Sequence, residues 1–295
     1  FPTCPYPNPE ITEALQLGLN LTEKLGADLL LATDPDCDRV GTAVMENGKP
    51  RLISGNEMGV LLIDYIARSK TENGTMPKHP VVVKSLVSTT MADAVAAEYG
   101  IEIRSVLTGF KYIGEQIALL EQAGEAERFL LGFEESYGYL SGGYVRDKDA
   151  VDGSMLICEM AAWYKRRGKN LGQALDEMYE KYGYYLNKVD SYTFEGSDGM
   201  AKMDGILDSL RGARPTSVAG MAVTRSLDYK DTKVTGLPAS NVLEYTLGNT
   251  GSFIVRPSGT EPKLKVYYSL RAEDKAAATA MHSTVKAAVE KLLGV

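Results

Sequence analysis

Thr33-Asp34-Pro35-Asp36-Cys37-Asp38-Arg39-Val40-Gly41 follows the apolar run Leu29-Leu30-Leu31-Ala32 and places carboxylates at alternate positions. In a Pro-broken turn at the end of a strand, Asp34, Asp36 and Asp38 can converge three oxygens on one hard cation. Mg²⁺ is the sharper candidate, since it takes few protein carboxylates and completes its shell with phosphate oxygens. Arg39 then stands where it can meet an anion that the metal also touches. An EF-hand is excluded, because Arg39 and Met45 occupy the positions that need Gly and Glu. On spacing alone the stretch also fits a solvated acidic turn.

Four further stretches carry chemistry-bearing residues. In Thr108-Gly109-Phe110-Lys111-Tyr112-Ile113-Gly114, backbone amides and Lys111 can face a cleft at the carboxyl end of a strand; a solvated Lys111 in a first helical turn is the plainer alternative. Gly132-Phe133-Glu134-Glu135-Ser136-Tyr137-Gly138-Tyr139 combines carboxylates, a hydroxyl and rings, which suits a polyhydroxylated ligand and equally a charged turn with packed Tyr. The charge cluster Arg146-Asp147-Lys148-Asp149 follows, either a capped surface turn or a place from which Lys148 reaches an anionic substrate. Arg256-Pro257-Ser258-Gly259-Thr260-Glu261-Pro262-Lys263 brings a guanidinium, hydroxyls, a Gly and an ammonium together between two strands, the equipment of a phosphate cradle, or a tight hairpin. No Walker loop is present. His79 and His282 lack metal-ligand spacing, and Trp163 reads as core. Adjacent acids also raise a glycosidase, which needs a carboxylate separation that sequence does not supply.

The elements that must hold these loops follow from periodicity and punctuation. A helix opens at Pro9–Glu10 and ends at Gly26; strands span 28–33 and 40–45, and a turn at 46–49 leads into 50–53. From residue 51, helices at 56–69, 91–99 and 112–122 alternate with strands at 80–87, 101–106 and 128–131, which predicts a mostly parallel sheet, closed by helices at 153–167 and 171–182. From Tyr184 the rhythm changes: a strand at 185–194, a helix at 197–210, strands at 218–226, 242–247, 252–255 and 263–269, and a helix at 273–292. The fold class is α/β, mixed domains with mostly parallel sheets followed by a smaller α+β domain. The divisions expected are 1–50, 51–185 and 186–295.

Composition bounds the rest. With 295 residues, 44% hydrophobic and 24% charged, the chain has the make-up of a multidomain globular protein. A formal charge of −7 argues against nucleic-acid and anionic-membrane partners while leaving room for a local anion site. Three dispersed Cys form neither a disulfide framework nor a zinc pattern, and no apolar run is long enough to span a bilayer, so a cytoplasmic location is expected. The Pro-rich start without Met is expected of a chain that begins inside a longer polypeptide.

Taken in order, TDPDCDRVG, TGFKYIG, GFEESYGYLSGGYVRDKDAV and RPSGTEPKLKVY resemble the α-D-phosphohexomutase superfamily, nearest its phosphoglucomutase-type members, and the resemblance runs from Phe1 to the C-terminus. It implies an enzyme that interconverts 1-phospho and 6-phospho sugars through a phosphoserine and a sugar bisphosphate, the latter also an activator. Asp34, Asp36 and Asp38 would bind Mg²⁺, with Arg39 near the phosphoserine. Glu134 and Ser136 would grip sugar hydroxyls. Arg256, Ser258, Gly259, Thr260 and Lys263 would hold the phosphate that is not reacting. Lys111 and Lys148 would be cleft cations assisting phosphate binding or proton transfer.

Two departures qualify the resemblance. The family often has Gly where Pro35 and Cys37 stand, so the loop's path is open. Its nucleophilic serine usually precedes His-Asn-Pro, and neither His here is followed by Asn-Pro; the chain therefore resembles the enzyme's C-terminal part and is expected not to turn over alone. Competing readings are a non-catalytic phosphosugar-binding module and, last, a metal-dependent phosphatase.

Overall fold

The computed structural model describes residues 1–195, 198–258 and 261–295. They form two compact units, Phe1–Tyr182 and Gly183–Val295. Both are mixtures of helices and sheets, as the sequence predicts.

The first unit opens with α1 (Thr12–Leu25), β1 (Leu29–Thr33), β2 (Val40–Glu46) and β3 (Lys49–Ile53). These strands form an antiparallel sheet in the order β1-β2-β3, with Thr33 opposite Val40 and Glu46 opposite Lys49. Loops this short cannot return the chain in parallel, so the expected parallel pairing belongs to the next sheet alone. The helix begins at Thr12 rather than Pro9, because Pro9 is buried against the backbone of Gly41 on β2 instead of opening a helical turn.

Next come α2 (Gly55–Glu72), β4 (Val81–Ser85), α3 (Met91–Glu98), β5 (Glu102–Val106), α4 (Phe110–Gln122), β6 (Phe129–Glu134), β7 (Gly138–Leu140), α5 (Ala150–Lys165) and α6 (Leu171–Tyr182). Their sheet has the order β5-β4-β6-β7; β4 pairs in parallel with β5 and β6, while β7 runs antiparallel to β6. Helical crossovers make the parallel pairs possible, whereas the short turn 135–137 dictates the antiparallel one. The chain leaves β4 toward one side of the sheet and β6 toward the other. The crevice between their carboxyl ends is thus the switch point at which open α/β sheets bind ligands. Val81, Val83, Val106, Phe110, Ile113, Ile117 and Leu120 form the core on one side, each contributing about 1.5–3 kcal/mol on burial.

α2 is buried along most of its length from Gly55 to Ala67 and is started by a capping box between Ser54 and Glu57. β7 is too short for a periodicity signal and is absent from the sequence-based expectation. Trp163 is only half-buried, not core: the guanidinium of Arg167 lies 3.5 Å over its ring, and Tyr65 and Tyr164 meet it edge-on.

The second unit contains β8 (Tyr184–Thr193), α7 (Gly199–Gly212), β9 (Ser217–Val218), β10 (Met221–Asp228), α8 (Thr232–Thr235), β11 (Leu243–Leu247), β12 (Gly251–Pro257), β13 (Lys263–Ala272) and α9 (Lys275–Leu293). Its antiparallel sheet, β8-β13-β12-β11-β10-β9, packs over Leu207, Tyr245, Phe253, Val266, Val285 and Val289. The single strand expected at 218–226 is two strands turning at Ala219–Gly220. Ser197, the expected start of the preceding helix, lies outside the described residues.

Gly55 opens α2 directly beneath the β6–β7 turn. A Cβ there would lie 2.1 Å from the carbonyl oxygen of Glu135 and 2.9 Å from the amide nitrogen of Tyr137, both backbone atoms. Gly55→Ala is therefore expected to destabilise the first unit by about 1–3 kcal/mol, read as an earlier transition in denaturant unfolding; an unchanged midpoint would contradict the close approach.

Candidate functional site

The acidic loop joins β1 to β2. One carboxylate oxygen each from Asp34, Asp36 and Asp38 lies within 4.8 Å of the others. Oxygens bound to one Mg²⁺ at about 2.0–2.1 Å stand about 3–4 Å apart, so a small contraction brings this set to an ion. Oδ1 of Asp38 is buried and has no hydrogen-bond partner among the described residues, a cost that a cation would remove. The residues present therefore fit Mg²⁺.

Asp34 has a second task. Its Oδ1 accepts from the amides of Asp38 (3.0 Å) and Arg39 (2.9 Å). Burial opposes its ionisation, but these bonds, the neighbouring Asp38 carboxyl and the Arg39 charge together hold its pKa below the ordinary value. Asp38 moves the other way: burial raises its pKa, the nearby Asp34 adds to this, and Lys148 offsets part of it. Two carboxylates in one turn are pushed apart in this manner.

The loop is fastened to the rest of the cleft through its backbone. Cys37 takes a left-handed φ of 59°, the conformation that suits Gly, and its carbonyl accepts from the amide of Ala150 at 3.0 Å. Tyr137, with φ 68°, accepts from the amide of Val40 at 3.1 Å, and Arg39 makes an antiparallel bridge to Gly138. The acidic loop, the Glu134–Tyr137 turn and the start of α5 are consequently one assembly.

Glu134 ends β6 and is 8% exposed. Its Oε1 accepts from the amide of Gly109 at 2.9 Å, which ties the Thr108–Gly114 loop to the same place. Burial pushes the Glu134 pKa up; the Gly109 bond, Lys148 and Arg39 act against that, and Glu135 acts with it. Glu135 turns the opposite way, accepting from the Ser85 hydroxyl at the end of β4 at 2.7 Å. Ser136 follows them, half-buried in the turn between β6 and β7.

Among the expected cations, Lys148 is within the assembly, its Nζ 2.6 Å from Oδ2 of Asp38. Burial disfavours its ammonium, but the Asp38 bond and the surrounding acids raise its pKa above the ordinary value. Arg39 pairs with Glu10 at 2.9 Å and approaches Asp38 at 3.7 Å and Asp34 at 3.9 Å. Glu10, 29 residues upstream, has no local signal that could have singled it out. Lys111 is exposed in the first turn of α4, 4.9 Å from the ring centroid of Tyr112.

In the second unit the phosphate-cradle candidate joins β12 to β13. Arg256 donates to the Tyr267 hydroxyl at 3.4 Å, the Ser258 amide to the Lys263 carbonyl at 2.7 Å, and Lys263 pairs with Glu261 at 3.1 Å. Gly259 and Thr260 lie outside the described residues.

Known proteins match this architecture. Family models for phosphoglucomutase/phosphomannomutase α/β/α domain II, α/β/α domain III and the C-terminal domain match residues 1–48, 54–182 and 218–287. The phosphoglucomutase of Staphylococcus haemolyticus is 37% identical over 285 residues, which are 93% of this chain and 50% of that protein. That of Staphylococcus aureus strain MRSA252 is 35% identical, with coverages of 93% and 50%. The chain thus spans about half the length of the curated relatives it matches. The open form of the Paramecium phosphoglucomutase parafusin has a TM-score of 0.72 at 20% identity, covering 98% of this chain and 50% of that one. A phosphoglucomutase/phosphomannomutase family protein from Burkholderia thailandensis gives 0.67 at 15%, with coverages of 97% and 51%. At those identities the structural likeness is one of fold, whereas the sequence matches carry membership. The chain belongs to the phosphoglucomutase/phosphomannomutase family, the α-D-phosphohexomutases.

Proposed function

We propose that these residues serve a phosphohexomutase that interconverts glucose 1-phosphate and glucose 6-phosphate by phosphoryl transfer through an enzyme phosphoserine and a sugar bisphosphate. The observation that carries this is the backbone union of the acidic loop with the Glu134–Tyr137 turn. A metal loop and a hydroxyl-accepting carboxylate in one rigid assembly are what in-line transfer between a phosphate and a sugar oxygen needs. The names and sequences of the relatives support the same reading.

Asp34, Asp36 and Asp38 hold Mg²⁺, which when bound neutralises charge on the transferring phosphoryl group. Arg39, kept in place by Glu10, faces the same phosphate. Glu134 and Ser136 accept and donate to the sugar hydroxyls, whose similar pattern in the two binding orientations lets one site serve both half-reactions. Lys111 contributes a cation to the same cleft. Arg256, Ser258, Gly259, Thr260 and Lys263 hold the phosphate that is not reacting. The divisions 1–50, 51–185 and 186–295 then correspond to metal, sugar and phosphate functions.

No Ser followed by His-Asn-Pro occurs in the 295 residues. The chain alone is accordingly expected to give no glucose 6-phosphate from glucose 1-phosphate in a coupled assay, while the full-length parent turns over and is ranked against mannose and ribose 1-phosphates. Turnover by the 295 residues would place the nucleophile among them and overturn the assignment. In the parent, Asp36→Asn is expected to lower kcat on the order of 100-fold, because Asp36 is exposed and its loss removes a ligand without removing the turn bonds made by Asp34.

Glu134 supplies a pH test that this chain can answer by itself. A buried carboxyl whose folded pKa is raised contributes stability below the unfolded value near 4.5, and that contribution is lost as pH rises through the higher folded value. Glu134→Gln keeps an acceptor for the Gly109 amide and removes the titration. Its stability relative to the unsubstituted chain should therefore rise with pH across that window in denaturant titrations. A constant difference between acid and neutral pH would show that Glu134 is not strained by burial.

A further inference from the structure

The two oxygens of Asp38 have different fates. Oδ2 lies 2.6 Å from the ammonium of Lys148, whereas Oδ1 is buried, lacks a hydrogen-bond partner among the described residues, and has the Arg39 Nε at 3.7 Å. The side chain of Lys148 is 14% exposed and does not roam. Its stem lies across Gly138 on β7, where a Cβ would meet Lys148 Cδ at 2.5 Å and Cβ at 3.3 Å. The backbone just beyond it is pinned as well: the Asp149 amide donates to the Tyr139 carbonyl at 2.9 Å, and that of Ala150 to the Cys37 carbonyl at 3.0 Å. Of the other acids near its ammonium, Asp147 at 3.6 Å is 72% exposed and competes weakly, while buried Glu134 attracts it through space without an ion pair.

We propose that Lys148 is a positioning residue that selects the metal: by holding Oδ2 of Asp38 it leaves Oδ1 as the one oxygen that this carboxylate presents to a divalent cation. The inference rests on the assignment of Asp34, Asp36 and Asp38 as metal ligands. Its consequence is selectivity. Mg²⁺ and Mn²⁺ favour compact octahedral shells with single-oxygen carboxylate ligands, while Ca²⁺ accepts more oxygens at longer distances and readily takes both from one carboxylate. An ammonium fixed on Oδ2 bars the two-oxygen mode at Asp38 and so disfavours Ca²⁺. It also orients Oδ1, as hydrogen-bonded partners of metal-bound carboxylates do.

This role and that of a simple neighbouring charge predict opposite results. Removing a positive charge beside the site should, by Coulomb attraction alone, tighten every divalent cation alike. Removing a positioning group should weaken the octahedral ions and relieve the bar against Ca²⁺. The experiment is titration of this 295-residue chain with Mn²⁺ followed by the signal of the free ion in electron paramagnetic resonance, with Mg²⁺ and Ca²⁺ as competitors. Circular dichroism establishes that each variant is folded.

Lys148→Met is expected to weaken Mn²⁺ and Mg²⁺ by about 10-fold and to shift the Mg²⁺ to Ca²⁺ affinity ratio toward Ca²⁺. Lys148→Arg, which can still donate to Oδ2, should restore most of both. Gly138→Ala retains the lysine but displaces its stem, and should shift the ratio in the direction of Lys148→Met. Unchanged or uniformly tighter binding in Lys148→Met, with the ratio preserved, would overturn the proposal while leaving the metal site intact. A chain in which Asp36→Asn removes no Mn²⁺ binding would overturn the metal assignment itself and this inference with it.

Discussion

The amide of Val40 donates to the carbonyl of Tyr137 and the amide of Ala150 to that of Cys37, and on these two bonds the candidate site depends. Each accepting carbonyl belongs to a non-glycine residue with a left-handed φ, 59° at Cys37 and 68° at Tyr137. Such backbone costs on the order of 1–3 kcal/mol per residue and persists only where surrounding contacts over-determine it. The contacts here are specific: Asp34 accepting from two amides of its own loop, Arg39 bridging to Gly138, and Gly55 admitting the Glu135 carbonyl above α2. Without the cross-links, three carboxylates after a strand would be a solvated turn; with them, the turn shares one frame with the carboxyl end of β6.

Electrostatics then makes the frame cation-seeking. Three acids converge, and the basic groups around them do not cancel them evenly. Lys148 takes one oxygen of Asp38, and Arg39 is drawn outward to Glu10. Low polarity around partly buried carboxylates magnifies both their repulsion and their gain from a counter-charge. The opposite displacements of the Asp34 and Asp38 pKa values are the signature of that crowding.

Much of this was open to reading in the sequence, and the boundary is physical. Alternating helices and strands, the end of α1 at Gly26 and the β1-loop-β2 unit follow from local periodicity and punctuation. The three aspartates follow from spacing within five residues. What periodicity does not carry is register between distant segments. Nothing local joins Lys148 to Asp38 or Glu10 to Arg39, and the three-residue β7, which supports Lys148 through Gly138, is shorter than one period of alternation can reveal. Pro9 shows the converse error: a residue with a strong local meaning, the start of a helix, is used instead for a tertiary contact with Gly41. Trp163 is similar, since its size suggests core while a stacked Arg167 lets it remain half-exposed. At the phosphate-cradle candidate, Arg256 lies near the end of β12, Ser258 just after it and Lys263 at the start of β13, whereas the expectations for Gly259 and Thr260 fall outside the described residues.

Glu134 shows how such a site balances readiness against stability. In the role proposed for it, accepting from sugar hydroxyls, its carboxylate would serve best ionised, because the protonated form gives up part of its acceptor capacity. Burial works against ionisation, and Glu135 beside it does so too. The opposing groups are all fixed by the scaffold: the Gly109 amide at the head of α4, Lys148 before α5, and Arg39 at the end of the acidic loop. The Gly109 amide takes up one acceptor site of the carboxylate. Hydroxyls arriving from a sugar would supply donors to a group already desolvated, so little solvent has to be removed at the moment of binding. On the proposed role of Glu134, burial would thereby become discrimination, because a ligand lacking those hydroxyls would leave the buried charge uncompensated.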